Sequence, residues 1–269
     1  MTEKEITFDD VIGLQDAKDA LKERFELYTK NKQIYLDAGV RPPSGVLLYG
    51  LPGTGKTMLV QAGYNSLIKG NPNYVYKIMY LSNFSGSNIV GEAEKKIYSL
   101  FDKIRKDSKD WVLVFDELDA ICPDRGKVAS VCTIERINAI LQCLDGMRGH
   151  IDNLFIIGTT NRPDKIDGAL KRSGRFDDII EVKLPNPEES VIHAQRSLLG
   201  LPFLPVEGME RILGDYGFNM GWAGSEYQNL RTKLVGEFIN NNKKALTALQ
   251  IVTIASRIKS PGKRTHAFP

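Results

Sequence analysis

Residues Gly50 to Thr57 read Gly-Leu-Pro-Gly-Thr-Gly-Lys-Thr, a complete G-x-x-x-x-G-K-S/T string. Such a string needs one particular setting. It must follow a buried strand and open a helix, so that backbone amides curl around a phosphate at the helix N-terminus. Both flanks agree. Gly45-Val-Leu-Leu-Tyr-Gly50 is a short apolar run between glycines, and residues 56–69 carry helical spacing. The glycines let the amides close on the phosphates. Lys56 suits the β- and γ-phosphates, and the Thr57 hydroxyl suits Mg2+. The candidate nucleotide contacts in this loop are Pro52, Gly53, Thr54, Gly55, Lys56, Thr57 and Met58.

The rest of the first two thirds repeats the strand–helix rhythm. Apolar runs at 75–81, 111–115, 154–157 and 179–182 read as further strands, and residues 14–30, 92–106 and 131–145 read as helices. Strands alternating with helices predict a five-stranded parallel sheet with right-handed crossovers, an α/β fold. At Leu184-Pro185-Asn186-Pro187 the pattern changes, and only helical spacing follows. The expected organisation is an α/β nucleotide-binding domain over 1–184 and a small all-α domain over 185–269.

The run Trp111 to Phe115 ends in Asp116 and Glu117. Acids at the carboxyl end of a parallel strand lie where such sheets bind ligands. Asp116 suits the hydrated Mg2+ and Glu117 suits the attacking water. A helix N-cap explains an Asp-Glu pair alone equally well. The catalytic reading rests on the phosphate loop about 60 residues upstream.

Composition excludes some classes. The net charge of +3 gives no bulk argument for nucleic acid. No apolar run approaches the ~20 residues of a membrane helix, and the first ten residues contain no signal-type apolar core. Three cysteines, Cys122, Cys132 and Cys143, with no CxxC pair, fit a reduced, cytoplasmic chain.

These residues, with the stretch Ile156-Ile-Gly-Thr-Thr-Asn161-Arg-Pro-Asp-Lys-Ile-Asp167-Gly-Ala-Leu-Lys-Arg172-Ser-Gly-Arg175-Phe-Asp177, resemble an AAA ATPase of the classical clade. That clade includes the membrane protease FtsH, the proteasomal ATPases, katanin and the Cdc-type protein segregases. The resemblance extends from about Phe8 to the final helices. It implies an AAA+ fold with a helical lid, ATP and Mg2+ as ligands, and self-association into a ring, with six subunits inherited from the family. It implies that Asn161 senses the γ-phosphate and attacking water. Arg172 and Arg175 are implied as arginine fingers reaching into the next subunit's site. Asp10-Val11-Ile12-Gly13 resembles the adenine-pocket segment, and Gly224 and Ser225 resemble the lid's sensor turn, with Ser for Ala there and Glu226 for Asp.

The chain also departs from the pattern. Ile89, in Asn88-Ile-Val-Gly-Glu92, stands where a threading ring carries an aromatic. Leu199 stands where the lid helix carries a His, and His193 receives no role. The ending Ala267-Phe268-Pro269 is a poor match to a proteasome-docking tail. Few residues precede the core, so the chain is either a minimal ring former or one module of a larger assembly.

The expected function is therefore ATP hydrolysis in a ring, coupled to remodelling, unfolding or disassembly of a protein substrate, with a possible adaptor or protease partner. The alternative is an ATP-dependent switch or scaffold that docks partners without threading. A DNA-handling clamp loader fits less well, because no basic stripe interleaved with aromatics appears.

Overall fold

Helical segments too long for hairpins connect the apolar runs, so the runs pair in parallel. This computed structural model describes residues 5–40, 42, 45–69, 71–80, 92–118, 131–145, 151–166, 168–171, 175–201 and 208–261. The strands are β1 (Gly45–Tyr49), β2 (Tyr74–Tyr80), β3 (Asp110–Asp116), β4 (Leu154–Thr160) and β5 (Asp178–Glu181). They form one parallel sheet in the order β2-β3-β4-β1-β5. The expected α/β fold with five parallel strands is therefore what forms. β4 is central, with Gly158 aligned to Phe115 of β3 and Thr159 aligned to Leu48 of β1.

The described chain divides into two compact units. The first takes the residues up to Phe8, Gln15–Gly50 and Lys56–Glu181; the second takes Asp9–Leu14, Leu51–Gly55 and the residues from Val182 onward.

In the first unit the helices are α1 (Gln15–Asp37), α2 (Lys56–Gly63), α3 (Glu92–Lys106) and α4 (Val131–Leu144). α3 buries Ile97, Phe101 and Ile104, spaced at one face of a helix, against Leu113, Phe115 and Ile156 of the sheet. α1 lies at the amino ends of the strands. Arg24 pairs with Asp178, Tyr28 donates to the Asp152 carbonyl, and Lys32 pairs with Asp110. That leaves the carboxyl ends for the ligand side. α2 does not continue as an α-helix to residue 69; Tyr64–Ile68 is a π-turn. There Asn65 donates to the Ile6 carbonyl, Ser66 accepts from the Phe8 amide, and Tyr64 stacks on Tyr76. The turn closes with the Lys69 amide donating to the Tyr64 carbonyl at 2.9 Å, the wider spacing of a π-turn.

In the second unit the helices are α5 (Pro187–Leu198), α6 (Met209–Met220), α7 (Gly224–Asn240) and α8 (Ala248–Ser256). Asn186 caps α5 through a reciprocal pair with Glu189, and Pro187 occupies the first turn, where its missing N–H costs nothing. The core is aromatic at its centre: Trp222 and Tyr227 meet edge to face, with Leu213, Leu230, Leu234 and Ile251 around them. Among the described residues no helix is long and apolar enough to cross a membrane.

Candidate active site

Three strand ends carry the candidate catalytic residues of the first unit. β1 delivers Gly50, β3 delivers Asp116 and Glu117, and β4 delivers Asn161 one residue past its end. Lys56 opens α2, and its ammonium donates to the Gly50 carbonyl at 3.0 Å. One residue on, the Thr57 hydroxyl donates to Asp116 Oδ1 at 3.1 Å. A phosphate-loop hydroxyl and a strand-end carboxylate 59 residues apart thus share one point. The Asp116 side chain is buried; the Thr57 and Glu117 side chains are exposed. The donor set is oxygen only, the kind a hard cation such as Mg2+ takes with waters and phosphate oxygens.

Glu117 has a φ of +56°, the left-handed region that residues with a Cβ seldom enter. Its amide donates to Thr159 Oγ1 at 3.0 Å, and Thr159 Oγ1 donates to Asp116 Oδ1 at 2.6 Å. Asn161 is half-buried. Thr159 was not a candidate from the sequence. The available signal was its spacing: two residues before Asn161 puts it on the same side of the strand.

In the second unit, Leu51–Gly55 turns tightly. Thr54 directs both its amide and its hydroxyl to the Leu51 carbonyl, at 3.4 and 2.9 Å. Gly53 and Gly55 have φ of +78° and +96°, open to glycine and strained for other residues. The Ser225 amide donates to the Gly53 carbonyl at 3.4 Å, and a Cβ at Gly53 would collide with Ser225 Oγ. Gly224 lies at the start of α7 against the His193 ring. Pro52 is exposed and Met58 half-buried.

The Asp10–Gly13 segment lies on α5. Arg196 donates to the Asp10 carbonyl at 2.5 Å, and a Cβ at Gly13 would strike the Glu189 carboxylate. Val11 is buried, and Ile12 and Gly13 are half-buried. His193, left without a role by the sequence, stacks on Tyr227 at 5.3 Å. Burial first, and the Arg196 charge second, push its pKa down to about 4. It is a neutral imidazole at physiological pH.

Arg175 is buried at 7% exposure, and its guanidinium meets Asp145 of its own chain, with Nε donating to Oδ1 at 2.7 Å. Asp145 was not singled out by the sequence, since an acid at the last position of the expected helix 131–145 looks like ordinary surface charge. Arg172, Ile89 and the Ala267-Phe268-Pro269 ending lie outside the described residues.

Residues 46–184 match the sequence profile of the ATPase family associated with various cellular activities (AAA). The chain is 38% identical over 247 residues to Protein CdcH of Halobacterium salinarum, covering 89% of this chain and 31% of that protein. It is 32% identical over 268 residues to the ATP-dependent zinc metalloprotease FTSH 7, chloroplastic, of Oryza sativa subsp. japonica, covering 97% and 31%. It is 31% identical over 263 residues to the proteasome-activating nucleotidase of Sulfurisphaera tokodaii, covering 96% and 64%. The chain thus spans under a third of the first two relatives and 64% of the third.

Proposed function

Because this chain belongs to the AAA family of ATPases, we propose that it hydrolyses Mg-ATP as one subunit of a ring and couples turnover to remodelling, unfolding or disassembly of protein substrates. The observation that supports this most is the convergence of Thr57 on Asp116 at 3.1 Å, with Glu117 next in the chain. Relatives named as a proteasome-activating nucleotidase and an ATP-dependent protease support a protein substrate and a protease or adaptor partner. We place the action in the cytoplasm.

The amides of Pro52 to Met58 cradle the phosphates, and Lys56 neutralises the β- and γ-oxygens. Thr57 and Asp116 hold the Mg2+ side of the nucleotide. Mg2+, when bound, offsets the charge that builds on the phosphate oxygens. Glu117 orients and polarises the attacking water, and Asn161 positions it against the γ-phosphate. Val11, Ile12 and Gly13, with Gly224 and Ser225, line the base side. Arg172, and Arg175 once released from Asp145, complete the neighbouring subunit's site, a contribution that raises phosphoryl transfer by orders of magnitude. A catalytic domain over 1–184 and a lid over 185–269 hinge at residues 184–187, so that nucleotide state becomes lid rotation.

The test is steady-state ATP turnover per subunit with Mg2+ across a wide protein concentration range. Turnover that rises and then saturates is expected of sites completed between subunits. Glu117→Gln should slow turnover at least about tenfold while retaining ATP binding. Tight ATP binding with no turnover at any concentration would instead favour a nucleotide-dependent switch.

A further inference from the structure

We propose that Thr159 is the positioning residue of this site: its hydroxyl ties the Asp116 carboxylate to the Glu117 backbone and so holds Glu117 in the left-handed turn that aims its side chain. The inference rests on the reading of Asp116 and Glu117 given above.

The chemistry of one hydroxyl carries it. A threonine hydroxyl has one proton to give and two lone pairs to accept with. An ionised carboxylate only accepts, and a backbone amide only donates. The proton must therefore go to Asp116 Oδ1, 2.6 Å away, and a lone pair must receive the Glu117 amide, 3.0 Å away. Neither partner allows the hydroxyl to turn round. The side chain is 2% exposed, so water offers no easy replacement. Its β-branched Cβ has few χ1 choices, which fixes the hydroxyl further.

The backbone explains why the tie is needed. Glu117 follows the last residue of β3 with a φ of +56°. A glutamate there needs the surroundings to hold it, and such conformations gather at functional sites. Thr159 stands on the adjacent strand β4, one register step past the Phe115–Gly158 pair, directly opposite the turn. The same Asp116 oxygen also receives the Thr57 hydroxyl from α2 at 3.1 Å. Asp116 is thereby oriented from two elements, and Glu117 inherits its placement from one of them.

Thr159→Val keeps the shape and removes the hydroxyl; Thr159→Ala repeats the test should valine pack poorly, and Thr159→Ser restores the hydroxyl. In the nucleotide-free protein, hydrogen exchange of the peptide covering Phe115 to Leu118 should speed up at least about tenfold in Val or Ala and return toward wild type in Ser. With Mg-ATP, kcat should fall about tenfold to hundredfold with KM changed less than about threefold, because a misaimed base costs rate rather than binding. Ser should recover most of the rate. Unchanged exchange in both Val and Ala overturns the tie. Faster exchange with wild-type kcat, in a protein whose Glu117→Gln variant is slow, overturns the positioning role. A Glu117→Gln variant that turns over at the wild-type rate refutes the assignment of Glu117 instead, and the exchange measurement then decides the tie by itself.

Discussion

The Arg175 guanidinium grips the Asp145 carboxylate at two points: Nε donates to Oδ1 at 2.7 Å and Nη2 donates to Oδ2 at 2.5 Å. The arginine is buried, while the Asp145 side chain is 40% exposed. The pair ties the segment before β5 to the end of α4, within one subunit. Fork-to-carboxylate geometry of this kind is specific to arginine. Arg175 is buried but Asp145 is half-exposed and solvent-screened, so removing one partner costs about 1–3 kcal/mol, less than for a fully buried pair. Arg175→Ala should therefore lower unfolding stability by that amount in urea, and Arg175→Lys should recover only a fraction. A double-mutant cycle with Asp145→Ala should show a coupling above about 1 kcal/mol. Additive losses would mean that the pair contributes nothing.

Arg172 should separate from Arg175 in its effects. Arg172→Ala is expected to lower turnover at least about a hundredfold while ATP binding is retained. Mixing it with a Lys56→Ala variant supplies the decisive readout. If the arginine acts on a neighbour's nucleotide, mixed rings regain activity that neither variant has alone. No recovery in rings shown to be mixed would exclude a trans role.

Gly53 is strained for any other residue, with its φ of +78° and Ser225 Oγ where a Cβ would stand. Gly53→Ala should weaken nucleotide binding at least about tenfold while the chain stays folded, measured by titration with a fluorescent ATP analogue. Adding Ser225→Gly removes the collision and leaves the backbone strain, so it should restore affinity only in part. Full restoration would show that the steric contact alone mattered.

His193 gives the second unit a pH dependence. Its folded pKa of about 4 lies below the ordinary value of 6.5, because burial disfavours the charged ring. Between those two values the unfolded chain binds the proton more readily, so stability falls as pH drops from 6.5 toward 4. The loss between pH 7 and pH 5 is about 2 kcal/mol. His193→Phe keeps an aromatic ring against Tyr227 and cannot titrate. Unfolding free energies at both pH values should show wild type losing about 2 kcal/mol more than the variant. Equal losses would mean that the ring is solvated in the folded state.

Much of this protein is legible along the chain. Short apolar runs became strands, and the run of 154–157 extended to Thr160 because Thr159 and Thr160 are β-branched or β-tolerant and fully within the sheet. The phosphate loop and the Asp116-Glu117 pair stood out as local strings, and Asn161 followed from the family resemblance. α1 ran on to Asp37, past the expected residue 30; in the added turns Lys32 meets Asp110 and Gln33 donates to Asp37. The π-turn at Tyr64–Ile68 had no local signal in the sequence; the Asn65 and Ser66 side chains on it bond to the distant Ile6 and Phe8 backbone.

The sequence by itself determined most of the strands and helices, the parallel pairing of the strands and the class of ligand, because periodicity and the glycine-lysine-threonine string act over a few neighbouring residues; the strand order came from the tertiary structure. Only the tertiary structure decided which polar groups meet. Arg175 turned to Asp145, 30 residues away, and Thr159 to Asp116, 43 residues away. His193 was placed under Tyr227 in the same way. Hydrogen bonds reach about 3 Å, so partner choice depends on strand register and helix packing across the whole unit. No pattern confined to one segment encodes that.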